Sequence, residues 1–273
     1  MEAKLSNVQL TQLEILKEFI RVCNDLHLQY FLVEGSMLGA VRHKGFIPWD
    51  DDIDVAIPRE DYEIFLKEAN SKLKSPYYLG TFNDDNFYWM TGVLFNRNIK
   101  TKLGNAKVEV DSFVGIDIIP IDGAPRNKIL QKLHYWHFYF YRVLYQTSHF
   151  SHIVNVNKER PALERMILKI LYRIDLEKRL DSKKICEKLH KVIRSYKYKD
   201  SEYVMSYISD YRFKELMPKS WYAQGKDYCF EDCTATGVLK AHEYLTQLYG
   251  DYMTPPSADK QTGKHNIQIN SNH

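Results

Sequence analysis

The stretch Glu34-Gly35-Ser36-Met37-Leu38-Gly39-Ala40-Val41-Arg42-His43-Lys44-Gly45-Phe46-Ile47-Pro48-Trp49-Asp50-Asp51-Asp52-Ile53-Asp54-Val55 decides how this chain is read. A Gly-Ser turn leads into a short helix-like segment and then into four aspartates. A core cannot bury four unpaired carboxylates, because desolvating even one costs several kcal/mol. Asp52 and Asp54 flank Ile53 in a run with strand character, so their side chains share a face. That arrangement suits divalent metal held against a phosphate. Asp50 has the same parity but lies close to Pro48, at a turn. Asp51 is expected to face away.

Working outward, Leu13, Leu16, Phe19, Ile20 and Cys23 recur at helical spacing and predict a helix over 8–27. Residues 27–33 read as a strand. Ser36 reads as the N-cap of a helix from Met37 to about His43. Residues 53–57 form the second strand, and Pro58 opens a helix to about 72 with Tyr62, Phe65, Leu66 and Ala69 inward. Thr91–Phe95 and Val114–Ile121 are further strands, the latter holding a lone carboxylate, Asp117. Two long basic, Tyr-rich helices are expected over 126–148 and 160–197. Short strands return near 203–208 and 228–230. A helix from about Val238 to Tyr249 stops at Gly250.

The expectation is an α/β (α+β) fold: a nucleotidyltransferase-like mixed β-sheet core with flanking helices and a helical insertion. The divisions are a catalytic core over 1–125, an insertion over 126–200, a return over 201–256 and a polar, frayed tail over 257–273. The order of strand, Gly-Ser, helix, Asp-x-Asp strand, helix and later Asp strand is that of polymerase-β-like nucleotidyltransferases.

Composition sets bounds. With 44% hydrophobic and 27% charged residues the chain is an ordinary globular one. Four irregularly spaced cysteines suggest free thiols in a reducing compartment. The N-terminus lacks the apolar run of a secretory signal, and no stretch is apolar enough to span a bilayer. A cytoplasmic protein is expected, with peripheral contact at the inner face of the membrane left open. Residues 158–199 hold 14 Lys and Arg against 6 Asp and Glu, a net +8 in a chain of +3, so the rest carries −5. Such asymmetry marks either a surface for anionic partners or solvated helix faces.

The block from Phe31 to Tyr62, FLVEGSMLGAVRHKGFIPWDDDIDVAIPREDY, closely resembles the LicD family of bacterial phosphocholine transferases, whose animal relatives include fukutin and the fukutin-related protein. The resemblance continues through Gly115–Asp122 (GIDIIPID) and Tyr249–Pro256 (YGDYMTPP) and is less distinct over 126–227. It implies CDP-choline as donor and a sugar hydroxyl on a cell-surface glycan precursor as acceptor, of teichoic acid or lipopolysaccharide type, lipid-linked or free. The hydroxyl would attack the phosphorus bearing choline, and CMP would leave. Another CDP-alcohol, carrying a polyol or ethanolamine, is the rival donor. Nucleotidyl transfer with pyrophosphate release is a further rival, and no nucleic-acid partner is expected.

Phosphoryl transfer is mostly positioning and electrostatics. Mg²⁺ (or Mn²⁺) takes oxygen ligands and keeps several waters, so two or three carboxylates suffice. Asp52 and Asp54 are the first choices as ligands and catalytic residues. Asp117 is the third ligand or the base for the acceptor's proton, and Asp50 is a helper. Gly35 and Ser36 present a helix N-terminus to a phosphate, though Gly-Ser alone is equally an ordinary cap. Arg42 and Arg59 offer planar forks suited to phosphate, against the reading of salt bridges that organise the aspartates. Trp49 reads mainly as packing, although its face suits a quaternary ammonium.

Tyr77, Tyr78, Phe82, Phe87, Tyr88 and Trp89 are candidates for a choline cage without any one being singled out. Leu130–Tyr145 reads as a membrane-surface or lipid-diphosphate face, or as a helix buried in the insertion. Its poor amphipathicity favours the buried reading. Cys229, Cys233 and His242 make a weak zinc pattern. The pairs His134/His137 and His149/His152 read as packing or surface residues.

Overall fold

The computed structural model describes residues 5–85, 87–103, 110–149, 179–263 and 268–269. Helix α1 (Asn7–Asp25) starts where Ser6 caps it: Ser6 Oγ accepts from the Gln9 N–H at 3.1 Å, and Gln9 Oε1 accepts from the Ser6 N–H at 2.9 Å. This reciprocal box satisfies two donors that a helix end otherwise leaves open. Phe19, Val22 and Cys23 are fully buried beneath it.

The chain then builds a mixed sheet. Strand β1 (Phe31–Leu32) runs antiparallel to β2 (Asp54–Pro58), and β2 runs parallel to β5 (Val110–Ala124). Strand β4 (Gly92–Leu103) lies antiparallel to β5, with β3 (Tyr77–Gly80) on its edge. On the other side of β1 comes the hairpin of β8 (Lys226–Phe230) and β9 (Cys233–Gly237). The central β2 and β5 are apolar on both faces: Val55, Ala56, Ile57, Ile118 and Ile121 are all solvent-free. Helix α2 (Glu34–Arg42) connects β1 to β2, and α3 (Arg59–Lys72) follows β2 directly. In α3, Tyr62, Phe65 and Ala69 are buried as expected, with Leu66 partly so.

Several boundaries differ from the expectation for local reasons. The strand expected over 27–33 shortens to two residues: α1 ends at Asp25, and the chain turns through Leu26 and His27, which takes φ +55°, before β1 begins at Phe31. Strand β4 extends well beyond Phe95, past a bulge between Asn96 and Lys100, where the polar residues hide the strand from an apolar reading. The tail is not wholly frayed: β10 (Gln268–Ile269) pairs antiparallel with Thr101 and Lys102. Of the helix expected over 160–197, the part up to residue 178 lies outside the described residues, and helix α5 (Ser182–Ile193) occupies the remainder.

Helix α4 (Lys128–Ser148) leaves β5, pairs with α5, and shares a separate apolar cluster of Tyr135, Phe138, Leu189, Val192 and Ile193. Its opposite face is exposed, which corrects the reading of a buried helix. Strand β6 (Tyr203–Met205) brings the chain back by pairing with Asp122–Ala124, and β7 (Met217–Pro218) pairs with β6. Helix α6 (Ala241–Tyr249) ends at Gly250, whose φ of +74° is the left-handed value that glycine adopts freely.

Arg59 and Asp122 lock the far end of β2 to β5. Arg59 Nε and one terminal nitrogen donate to the two Asp122 oxygens at 2.7 Å each, and its other nitrogen reaches Glu63 at 3.1 Å. Arg59 is 5% exposed and Asp122 is fully buried. Removing one partner of such a pair strands a charge, so Asp122→Ala is expected to cost about 3–5 kcal/mol of unfolding free energy, measured by urea titration. The double apolar replacement Arg59→Met/Asp122→Leu should recover much of that loss.

Candidate active site

Strand register sets the centre of the site. Asp54 opens β2 and lies directly beside Asp117 on the parallel neighbour β5, and the Asp117 N–H donates to the Ile53 carbonyl at 3.2 Å. Ile53 is buried while Asp52 and Asp54 are half-buried, and Asp52 stands just before the strand. Burial first, and then Asp52, Glu34, Asp117 and Asp50 in that order, hold the Asp54 carboxyl well above the usual carboxylate range. Four carboxyl groups therefore act on Asp54.

Asp51 joins them, contrary to expectation. One oxygen each of Asp50, Asp51 and Asp52 lie within 4.8 Å of one another, and among the described residues this is the one compact carboxylate trio. These residues precede β2, so strand parity does not fix the side of Asp51. Asp52, Asp54 and Asp117 are joined instead by register and electrostatic coupling.

The loop is held through its backbone. From α1, the Gln9 side-chain amide donates to the Asp50 carbonyl at 3.0 Å. The Gln12 amide donates to the carbonyls of Asp51 at 3.0 Å and Gly115 at 3.3 Å. Both glutamines are buried, and neither is visible as a site residue in the sequence, where they look like ordinary helix polars.

Ser36 is not the N-cap of α2 that the sequence suggests. Ser36 lies inside the first turn of α2, which Val33 precedes without a side-chain cap, and Ser36 Oγ accepts from the Asp54 N–H at 2.9 Å. A Cβ on Gly35 would stand 2.8 Å from Asp50 Oδ2, so the close approach that glycine permits is made by Asp50. Glu34 is a residue that sequence reasoning missed. It adopts φ +46°, a left-handed conformation costly for a residue with a side chain, and its N–H donates to Tyr244 Oη at 3.0 Å. No pattern in the sequence signals that backbone state.

Arg42 sits at the C-terminus of α2. Its Nε donates to His43 Nε2 at 2.8 Å, a terminal nitrogen donates to the Tyr252 carbonyl at 2.8 Å, and its guanidinium lies 5.9 Å from the Trp49 ring centre. Burial, and then Arg42 itself, lower the His43 pKa, so His43 is a neutral partner. Trp49 thus packs against the core and supports Arg42. The C-terminal motif reaches the same place: the Tyr249 hydroxyl, bonded at 2.8 Å by Tyr211, is raised in pKa by burial, by Tyr211 and also by Glu34 and Asp54. Arg59, expected at a phosphate or among the aspartates, belongs to the Asp122 lock.

The remaining candidates separate. Tyr78, Phe82, Phe87 and Trp89 form an aromatic cluster with Phe95, and Arg97 already lies 4.0 Å over the Tyr78 ring. His134 is spent on Tyr207, Val192 and Ser195, while His152 lies outside the described residues. Cys229 and Cys233 are free thiols on the β8–β9 hairpin and His242 bonds Tyr252, with no metal-competent group formed by them among the described residues.

The donor set is all oxygen and anionic, which fits a hard divalent cation and not a zinc–thiolate centre. Asp50, Asp51 and Asp52 could hold one, and the crowding at Asp54 is the repulsion that such a cation would relieve.

The chain is similar to several known proteins. The family described as "LicD/FKTN/FKRP, nucleotidyltransferase domain" matches residues 27–157. The lipopolysaccharide cholinephosphotransferase LicD of Haemophilus influenzae is 30% identical over 268 residues, covering 97% of this chain and 96% of that protein. Uncharacterized proteins of Rickettsia prowazekii and Rickettsia typhi are 40% and 35% identical over 55 and 65 residues, covering 20% and 24% of this chain and 20% and 21% of their own lengths.

Glu215 supplies a pH test. It is 1% exposed, and burial followed by Glu34 raises its pKa well above the ordinary 4.5, with Ser209 Oγ, 3.4 Å away, acting in the opposite direction. A carboxyl raised in the folded state keeps its proton after the unfolded chain has lost it, so stability falls as pH climbs above the unfolded value. Glu215→Gln should therefore raise the thermal midpoint at pH 8 and leave it nearly unchanged at pH 4. A lower midpoint at pH 8 would contradict this.

Proposed function

The chain belongs to the LicD family, and from that premise we propose that it transfers phosphocholine from CDP-choline to a hydroxyl of a cell-surface glycan precursor, of lipopolysaccharide or teichoic acid type, releasing CMP. The observation that carries the reading is the register of Asp54 beside Asp117, next to the Asp50–Asp52 loop, in a chain similar to a cholinephosphotransferase along nearly its whole length. Mg²⁺ or Mn²⁺ bound by Asp52, Asp54 and Asp117, with Asp50 assisting, would neutralise charge on the diphosphate and lower the barrier to displacement. Asp117 accepts the proton of the acceptor hydroxyl as its oxygen bonds to the choline-bearing phosphorus. The bond from that phosphorus to the bridging oxygen breaks, and CMP leaves with the electron pair.

The remaining residues position the donor. Arg42, bonded to a histidine nitrogen and a backbone carbonyl, would offer its remaining guanidinium N–H groups to a phosphate of the donor. The N-terminal turn of α2 at Gly35 and Ser36 adds its partial positive charge. The four free cysteines fit a reducing cytoplasm.

The assay is CMP release by the purified chain with a divalent ion and a panel of CDP-alcohols. CDP-choline is expected to be the substrate; turnover with a CDP-polyol and not with CDP-choline would replace the donor. Pyrophosphate release from a nucleoside triphosphate would replace the reaction. Asp52→Asn and Asp54→Asn are each expected to cut turnover by about a thousandfold or more, as for loss of other groups that stabilise transition-state charge. Both should keep the thermal midpoint, because each removes one member of a repelling cluster. Gly35→Ala should displace Asp50 and lower turnover with an intact fold.

A further inference from the structure

The outward face of α4 is open to solvent, and it is apolar. Ile129, Leu133, Trp136, Phe140 and Val143 recur at steps of four, three, four and three, so they form one stripe along the helix. They are 69, 60, 62, 58 and 42% exposed, and Leu130 beside them is 48% exposed. Six of the ten large apolar side chains exposed among the described residues therefore lie on this one helix. The opposite face, with Tyr135, Phe138 and Tyr145, already holds α4 to the protein. A helix apolar on both sides belongs in apolar surroundings on both sides.

Charge selects the occupant. No Asp or Glu occurs between Asp122 and Glu159. Lys128 and Lys132 are exposed at the N-terminal end of the stripe, and the first turn has no acidic residue. Cations at a helix N-terminus oppose the macrodipole, so they do not serve the helix itself. A second copy of the same face would bring lysines to a helix with no carboxylate to receive them. Lipid phosphates supply the missing negative charge, and Trp prefers the boundary where one side is apolar and the other wet. No helix among the described residues is long and apolar enough to cross a membrane, so this one would lie along the surface.

We infer that α4 is an in-plane docking helix for an anionic lipid surface. Leu133, Trp136 and Phe140 enter the headgroup region, and Lys128 and Lys132 meet lipid phosphates. The inference does not depend on the identity of the donor alcohol, and its test uses no turnover.

The full chain is sedimented with phosphatidylcholine vesicles that either lack or contain roughly one third phosphatidylglycerol. Binding to the anionic vesicles, weakened by salt, is the expected result. Trp136→Glu and Phe140→Glu should each lower the partition coefficient about tenfold or more. Lys128→Glu/Lys132→Glu should remove the preference for anionic lipid. Ile64→Glu, at a 44% exposed apolar position on α3, should bind like the wild type. Thermal midpoints and circular dichroism check that every variant is folded. Failure of the wild type to bind anionic vesicles overturns the inference, as does wild-type binding by a folded Trp136→Glu/Phe140→Glu variant. A wild-type dimer that these substitutions dissolve, with no vesicle binding, assigns the stripe to a second copy instead.

Discussion

Mutual repulsion among carboxylates is the constraint around which this molecule is arranged. Glu34, Asp50, Asp52 and Asp117 all act on Asp54, which is itself half-buried. Left to themselves, such groups would move apart or draw in cations from the protein. The fold prevents the first by fixing the backbone: Gln9 and Gln12 hold carbonyls of the loop, Ser36 holds the Asp54 amide, and the β2–β5 ladder holds Asp117. These partners are all uncharged, and each holds a main-chain group of the cluster rather than a carboxylate.

The placement of the two arginines follows the same logic. Arg59, next in the chain after β2, is fully engaged by Asp122 and Glu63 at the opposite end of the strand from Asp54. There a buried bidentate pair fixes the relative positions of β2, α3 and β5. Arg42 is instead tethered to a neutral histidine and a backbone carbonyl beside Trp49. One guanidinium thus braces the sheet on which the site is built, while the bonds of the other go to uncharged groups.

Much of this was legible in the sequence. The periodicity of α1, α3 and α6 and the turn at Gly250 follow from local spacing, and they persist because the core reinforces them. Other features depend on partners distant in the chain. Glu34 adopts a left-handed backbone next to Tyr244, and Gln12 reaches Gly115 across more than a hundred residues. Asp51 lies with its neighbours in a segment that precedes β2, where strand parity does not fix its side. Arg59 misleads because two charge patterns in sequence look alike, and only the packing against Asp122 separates them. The polar half of β4 is hidden for a related reason: its backbone pairing does not require apolar side chains.

The distribution of these misses also explains why the reaction type is easier to read than the substrate. A divalent cation that would stabilise charge on a phosphate needs a few carboxylates close together, and most of the candidates here fall in one short segment, Asp50 to Asp54, with Asp117 on the adjacent strand. Recognition of the alcohol and the acceptor need not be local. Around the cluster the structure gathers Glu34 from α2, Tyr244 and Tyr249 from α6, Tyr211 ahead of β7 and the carbonyl of Tyr252. These come from segments separated by about two hundred residues, and each alone looks like a packing residue. Specificity built from such pieces can change by single substitutions without disturbing the aspartates. Relatives sharing the Asp-x-Asp block are therefore free to differ in the group they transfer.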